Sequence, residues 1–246
     1  MIVVWFSSGA ASAVAAKIAV ERYGKDVRIV NNPVAEEDDD NRRFMRDVSE
    51  WIGVEIEEAR NPEYPDASAE TVWAKRRYMS GVSGAPCTGE LKKKARKYWE
   101  WENEPDAHVL GFTAEEEGRH RKFVENEGRE VIPVLIEEGI TKQQCIDMLL
   151  EAGIEPPRVY RMGYPNANCI GCVKATSPTY WNHVRHVHPD VFQRRAEQSR
   201  EIGAKLVRYK GERIYLDELP EGAKGNSMKS MDFECGIFCK GEPDRD

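Results

Sequence analysis

Cysteine is the residue type with the clearest chemical potential in this chain, at Cys87, Cys145, Cys169, Cys172, Cys235 and Cys239. Cys169 and Cys172 form a C-x2-C pair within the segment NANCIGCVK. A tight turn of this kind directs both sulfurs toward one metal ion or cluster. Cys235 and Cys239 form a C-x3-C pair, which suits either metal ligation or a redox couple.

The contexts of Cys87 and Cys145 differ. Cys87 follows a Gly/Ser/Pro cluster at 80–86 and stands at the start of a helix predicted over 88–101. Such a position lowers the pKa of a thiol and favours metal ligation or nucleophilic attack. Cys145 lies inside a helix predicted over 141–152, where a packed core cysteine is expected.

The elements that must position these thiols begin with an apolar run at 2–6, which is typical of a buried strand. Small residues follow at 7–12, and apolar residues recur at helical spacing from Ala13 onward. In a strand–turn–helix unit of this kind, backbone N–H groups at the helix start can approach a phosphate. Further strands are predicted at 27–30, 54–56, 108–112 and 130–136, with helices at 41–52 and 71–78 between them. The pattern predicts an α/β fold with a doubly wound, mostly parallel sheet.

Two regions follow from this pattern. Residues 1–140 are predicted to form a nucleotide-binding α/β domain. Residues 141–246 are predicted to form a C-terminal extension with helices, the C-x2-C pair, a hairpin at 206–216 and a cysteine-bearing tail. The polar segment 217–229 is expected to be a mobile linker that brings the tail over the site.

Composition indicates a cytoplasmic, globular protein. The chain has 246 residues, 40% hydrophobic and 32% charged, with a formal net charge of −7. No apolar run approaches the roughly 18 residues that span a bilayer, and the first residues lack a basic leader. A disulfide framework is not expected in that compartment, so the cysteines favour metal or thiol chemistry. The net charge excludes a global attraction to nucleic acid, although residues 92–97 form a local basic stretch.

The segment FSSGAAS at 6–12 resembles the FSGGKDS loop of the PP-loop family, which includes ATP pyrophosphatases and the sulfonucleotide (PAPS/APS) reductases. Gly9 and Ser12 keep their places in that motif. Ser8 replaces its first glycine, Ala10 its lysine and Ala11 its aspartate. The fold implied by the resemblance is therefore the PP-loop type of α/β fold.

The reductases of this family also have a Gly-x-Arg/acidic/Arg segment after a core strand, and the segment from Gly111 onward is similar. Thr113 stands in place of the first arginine, whereas Glu116 and Arg119 keep the later positions. The resemblance implies an adenine-nucleotide site built from Ser7, Ser8, Gly9, Ala10, Ala11, Ser12, Asn31, Gly111, Phe112 and Arg119.

The cysteine spacing resembles that of iron–sulfur APS reductases, in which a Cys-Cys pair at a helix start is followed by a distant C-x2-C. Cys87 matches one member of that pair, and Thr88 stands where the other would be. The resemblance implies a [4Fe–4S] cluster on Cys87, Cys169 and Cys172, with Cys239 as the candidate fourth ligand. Zinc is the alternative metal.

The segment 234–237 is similar to the ECGIH tail of the same reductases, whose cysteine attacks the sulfate sulfur. This makes Cys235 the candidate nucleophile, although Phe238 replaces the histidine. The rival assignments are a redox pair at the C-x3-C and ligation by Cys235.

The implied function is reduction of a sulfonucleotide to sulfite by a PAPS reductase-like enzyme, with a thioredoxin-like reductant. A second hypothesis is an ATP-dependent PP-loop sulfur transferase acting on tRNA or DNA, which the basic stretch at 92–97 favours. A third is a non-catalytic protein that binds a nucleotide or zinc.

Overall fold

The computed structural model describes residues 1–81 and 84–228. Within these residues, seven strands have the bounds β1 Ile2–Phe6, β2 Val27–Asn31, β3 Ile56–Glu58, β4 Ala107–Val109, β5 Val131–Ile132, β6 Val207–Tyr209 and β7 Glu212–Ile214. The α-helices are α1 Ala10–Tyr23, α2 Asp40–Ile52, α3 Ala69–Arg76, α4 Ala95–Asn103, α5 Glu117–Glu127, α6 Val134–Glu137, α7 Lys142–Glu151, α8 Pro178–Val187 and α9 Pro189–Ile202. A π-helical segment, Thr88–Lys94, leads directly into α4.

The chain forms two compact units, and neither is continuous in sequence. The first unit consists of Met1–Pro33, Asp39–Arg60 and Arg96–Ala167. The second consists of the described residues of Val34–Asp38, of Asn61–Ala95 and of the chain from Asn168 to residue 228. A division at residue 140 stays a prediction from the sequence.

The first unit contains a five-stranded sheet in the order β3-β2-β1-β4-β5, and every pairing in it is parallel. The central strand β1 pairs with β2 from Ile2↔Val27 to Phe6↔Asn31. On its other side β1 pairs with β4, for example Val4 with Val109. The predicted α/β fold with a mostly parallel sheet is therefore confirmed.

Alternate residues of β1 pack against helices on opposite faces of the sheet. Phe6 stacks on Phe44 of α2, with ring centroids 6.1 Å apart, in a core that also contains the buried face of α1. Trp5 points to the other face and packs edge-on against Trp99 of α4, with centroids 5.5 Å apart. Because side chains alternate along a strand, this pattern requires helices on both faces, as in a doubly wound sheet.

Helices α8 and α9, the antiparallel hairpin β6–β7 and α3 belong to the second unit. The predicted hairpin is thus confirmed. The predicted mobile linker is wrong for the residues that are described. Asn182 Nδ2 donates to the carbonyls of Pro220 and Ala223, and Arg185 Nη2 donates to the carbonyl of Leu219 at 2.7 Å. These bonds hold the segment 216–226 against α8.

One other expectation is corrected. The run 130–136 is a strand only at Val131–Ile132, because Pro133 has no N–H to donate and helix α6 begins at Val134. The acidic segment from Ala114 forms a helical turn that continues into α5. In the described part of the chain, no helix is both long and apolar enough to cross a membrane.

A buried histidine lies on the α4 face of the sheet. Trp5 Nε1 donates to His108 Nδ1 at 3.1 Å, and Glu100 and Arg129 lie nearby. Burial lowers the pKa of His108 to about 4; the positive charges of Arg129 and Arg96 also lower it, against the opposing effect of Glu100.

This lowered pKa predicts a pH-dependent stability. The unfolded chain binds a proton at His108 below its ordinary pKa of about 6.5, whereas the folded chain does not until about 4. Neutral His108 therefore makes its full contribution to the free energy of unfolding above about pH 6.5. This contribution is lost as the pH falls from about 6.5 to about 4. We expect a loss of about 2 kcal/mol between pH 7.5 and 5, measured by urea denaturation.

His108→Gln should remove that part of the pH dependence, because glutamine keeps an acceptor for Trp5 but does not titrate. His186→Gln, at an exposed position on α8, is the matched control. An unchanged pH dependence in His108→Gln would contradict the assignment.

Candidate functional site

The loop between β1 and α1 is organised by one hydroxyl. Ser12 Oγ accepts hydrogen bonds from the backbone N–H groups of Ser7 at 3.1 Å and Gly9 at 3.3 Å. It donates its own proton to the carbonyl oxygen of Gly9 at 2.9 Å. The serine that the PP-loop motif shares with this chain therefore fixes the loop conformation.

Ser8 adopts a left-handed backbone conformation, with φ of +56°, at the position where the PP-loop motif has glycine. A non-glycine residue there costs about 1 kcal/mol, so the surrounding contacts must hold it. Asn31, at the end of β2, provides two of them. Its amide donates to the carbonyl of Phe6 at 2.8 Å and to Ser8 Oγ at 3.5 Å. Asn31 thus supports the loop, and its part in a base pocket stays a prediction.

Gly111 lies against the start of α1. A Cβ atom at this position would stand 2.8 Å from the backbone nitrogen of Ser12 and 2.9 Å from the carbonyl carbon of Ala11. Only glycine permits this approach without displacing backbone. Gly111 follows β4, and the loop follows β1, so both lie at the carboxyl ends of adjacent strands.

This position is the topological switch point of the sheet. From β1 the chain proceeds to β2, and from β4 it proceeds to β5 in the opposite direction. In open α/β sheets, ligands bind outside the carboxyl ends of the strands at such a point. Three parts of the predicted nucleotide site, the loop at 7–12, Asn31 and Gly111, lie at this edge of the sheet.

Tyr160 is a residue at this loop that the sequence analysis missed. The backbone N–H of Ala10 donates to Tyr160 Oη at 3.3 Å. Burial raises the pKa of Tyr160, so the phenol is protonated at neutral pH. Tyr160 is 150 positions from Ala10 in sequence, and no local pattern signals the contact.

Arg119 belongs to the first turn of α5, and its side chain packs on the ring of Phe112. The Arg119 guanidinium is 5.1 Å from the centre of the Phe112 ring and forms an ion pair with Glu116. Glu116 also accepts from the backbone N–H of Thr113 at 3.0 Å, which caps the helical turn. Arg119 is 39% exposed, so its charge remains accessible to an anion.

The turn with Cys169 and Cys172 is held from several sides within the second unit. The backbone N–H of Cys172 donates to Tyr180 Oη at 2.8 Å, and that of Ile170 donates to the carbonyl of Glu36 at 2.9 Å. Gly171 has φ of +68°, which favours glycine, and a Cβ there would be 3.0 Å from Val191. The backbone of this turn is therefore held in place by contacts on several sides.

Cys87 belongs to the same unit and lies at the start of the helical stretch that continues through the π-helical segment. Cys87 and Cys169 are half-buried and Cys172 is buried. Within residues 1–81 and 84–228, no three His, Cys, Asp or Glu side chains form a group that could hold a metal. Cys235 and Cys239, the candidate nucleophile and fourth ligand, lie outside the described residues.

Cys145 is a core residue, in agreement with its expected role. It is fully buried among the apolar side chains that pack beneath the sheet. Burial raises the pKa of its thiol to about 12, so it is neither a nucleophile nor a ligand at neutral pH.

The basic stretch 92–97 is largely neutralised by carboxylates. Three of its cations form ion pairs: Lys92 with Glu37 at 2.9 Å, Lys94 with Glu90 at 3.1 Å and Arg96 with Glu100 at 2.6 Å. Lys92 and Arg96 are themselves buried. The stretch is therefore not the exposed basic patch that a nucleic-acid surface requires.

Comparison of the chain with known proteins identifies no family for it. No protein-family model matches the chain, and no curated protein is significantly similar to it.

Proposed function

We propose that this chain is a PAPS reductase-like enzyme that binds an adenine nucleotide and reduces a sulfonucleotide to sulfite. The observation that carries the proposal is the placement of the predicted nucleotide residues. The loop at 7–12 follows β1, Asn31 ends β2 and Gly111 follows β4, so all three lie at the carboxyl ends of neighbouring strands. Backbone N–H groups of the loop other than those of Ser7, Gly9 and Ala10, which bond within the protein, would hold phosphate, and Arg119 would neutralise anionic oxygen.

The path of the chain toward the tail supports a role for the C-terminal cysteines. Thr179 Oγ1 bonds with both the N–H and the carbonyl of Gly225, at 2.9 and 3.2 Å, and Ser177 Oγ donates to the carbonyl of Asn226 at 2.8 Å. This places the chain near the start of α8, whose Tyr180 contacts Cys172. Cys235 follows Asn226 by nine positions, and nine extended residues span at most about 30 Å.

The reaction has two steps. The thiolate of Cys235 attacks the sulfonate sulfur; the S–O bond to the nucleotide breaks, and the phosphate leaves with its electron pair. A thioredoxin-like dithiol then reduces the Cys235 thiosulfonate, which releases sulfite and restores the thiol while the dithiol becomes a disulfide.

Cys87, Cys169, Cys172 and Cys239 would hold the metal group. A [4Fe–4S] cluster, or zinc in the alternative assignment, would supply positive charge when bound. Thiolate ligands suit both metals, although Cys87, Cys169 and Cys172 do not form a metal-holding group among the described residues. The nucleic-acid alternative loses its main support, because the basic stretch is paired with carboxylates.

The test is anaerobic assay of sulfite release from PAPS and from APS in the presence of a reducing dithiol. We expect release by the wild type and a loss of at least a hundredfold in Cys235→Ser, because the attacking sulfur is gone. Cys145→Ala is the control, since its thiol is buried. Unchanged sulfite release in Cys235→Ser would refute the assignment of Cys235 as the nucleophile. Conversion of ATP to pyrophosphate without sulfite release would favour the sulfur transferase.

A further inference from the structure

Tyr160 places a phenol oxygen directly over the loop between β1 and α1. Its Oη accepts a hydrogen bond from the backbone N–H of Ala10 at 3.3 Å. A Cβ atom built on Gly9 would lie 3.3 Å from the same oxygen and 3.8 Å from Ser7 Oγ. The hydroxyl therefore stands beside the first turn of α1, in the space that the absent side chain of Gly9 leaves open.

The turns around Tyr160 fix this position. The Tyr160 N–H donates to the carbonyl of Pro157 at 3.0 Å, and the Tyr160 carbonyl accepts from Gly163 at 3.1 Å. The N–H of Arg158 donates to Asp40 Oδ2 of α2 at 2.8 Å. The ring packs on the apolar core of the same compact unit as the loop. The hydroxyl is thus in place before a ligand arrives.

The proton of this hydroxyl has no acceptor within residues 1–81 and 84–228. The phenol keeps its proton at neutral pH, because burial and the nearby Cys145 raise its pKa more than the hydrogen bond from Ala10 lowers it. That hydrogen bond, at the positive end of α1, polarises the O–H and makes it a stronger donor. A polarised donor of this kind is suited to an anionic oxygen.

The neighbouring backbone also offers donors. The N–H groups of Ala11 and Ser12, in the first turn of α1, find no acceptor in the described part of the chain. The segment 7–12 contains no lysine or arginine. An oxyanion at this loop would therefore be held there by neutral donors, and Tyr160 adds a side-chain donor to those of the backbone.

We propose that the Tyr160 hydroxyl binds the phosphate of the nucleotide. It accepts from the Ala10 N–H and donates its own proton to a phosphate oxygen at the start of α1. The inference rests on the proposed function, because it requires a nucleotide at this loop. It gives Tyr160 a binding role in addition to its support of the loop.

The test is calorimetric titration of the full chain with AMP and with adenosine, which lacks the phosphate. Tyr160→Phe keeps the ring and removes the hydroxyl. We expect it to weaken AMP binding by about tenfold or more, because a hydrogen bond to a charged oxygen is lost, and to leave adenosine binding unchanged. Tyr23→Phe is the matched control, since Tyr23 packs on the same core at the other end of α1. It should bind both ligands as the wild type does.

A second variant separates phosphate binding from support of the loop. Difluorotyrosine in place of Tyr160 ionises at a lower pH than tyrosine, and its phenolate still accepts from Ala10 but has no proton to donate. We expect the AMP affinity of this variant to fall as the phenol ionises, whereas wild-type affinity stays level over the same pH range.

Wild-type AMP affinity in Tyr160→Phe, an equal loss of AMP and adenosine binding, or a level pH profile in the fluorinated variant would overturn the inference and leave the proposed function intact. If the wild type did not bind AMP, the nucleotide site of the proposed function would fail, and the inference with it.

Discussion

Replacing Gly111 with alanine is expected to destabilise the fold by about 2–3 kcal/mol and to weaken nucleotide binding by more than tenfold. The added methyl would stand 2.8 Å from the backbone nitrogen of Ser12 and 2.9 Å from the carbonyl carbon of Ala11. Neither atom belongs to a flexible side chain, so relief requires movement of α1 or of the end of β4. Overpacking of this kind costs about 1–3 kcal/mol.

Binding should weaken as well as stability, because the displaced atoms belong to the loop that would hold phosphate. Urea denaturation measures the first quantity, and calorimetric titration with an adenine nucleotide measures the second. Gly118→Ala on α5 is the matched control, since a Cβ there meets nothing within 4 Å. It should be neutral or slightly stabilising, because alanine favours helix over glycine. Wild-type stability and nucleotide binding in Gly111→Ala would refute the close contact between Gly111 and the start of α1.

Replacing Cys87 or Cys172 with serine is expected to reduce the bound metal to less than a tenth of the wild-type content. Serine has nearly the same volume but does not provide a thiolate, so the ligand set would lose one of its members. The measurement is anaerobic metal and sulfide analysis of the purified chain. Iron and sulfide together identify a cluster, and zinc without sulfide identifies the alternative.

Cys145→Ala provides the control for that experiment. Its thiol is buried in the core and its pKa is raised to about 12, so the variant should keep its full metal content while losing some stability. Undiminished metal in Cys87→Ser would remove Cys87 from the ligand set. Equal losses in all three variants would indicate a general folding defect instead of lost ligands.

The parallel sheet could be predicted from the sequence because its strands are short apolar runs separated by helical patterns. Helix α5 could not be predicted in this way, since none of its residues is buried and it has no apolar face. Local groups define its ends: the capping contact of Thr113 with Glu116 just before it and the left-handed Gly128 after it. Hydrophobic periodicity carries no information about such a helix.

The candidate site was predictable where it depends on consecutive residues and not where it depends on distant ones. The loop at 7–12 and the C-x2-C pair are local patterns. The position of Tyr160 over the loop arises from packing between distant segments. The pairing of residues 92–97 was visible in part: Glu100 lies four positions from Arg96, at helical spacing, whereas Glu37 pairs with Lys92 from 55 positions away.

The interleaving of the two units has a consequence for synthesis on the ribosome. The second unit begins to appear at Val34, long before Ala167 completes the first. Neither unit can therefore close before parts of the other have emerged, and β1 must wait for β4 before the centre of the sheet is paired. No continuous fragment contains one unit alone, so the chain cannot be dissected into independently expressed modules by truncation.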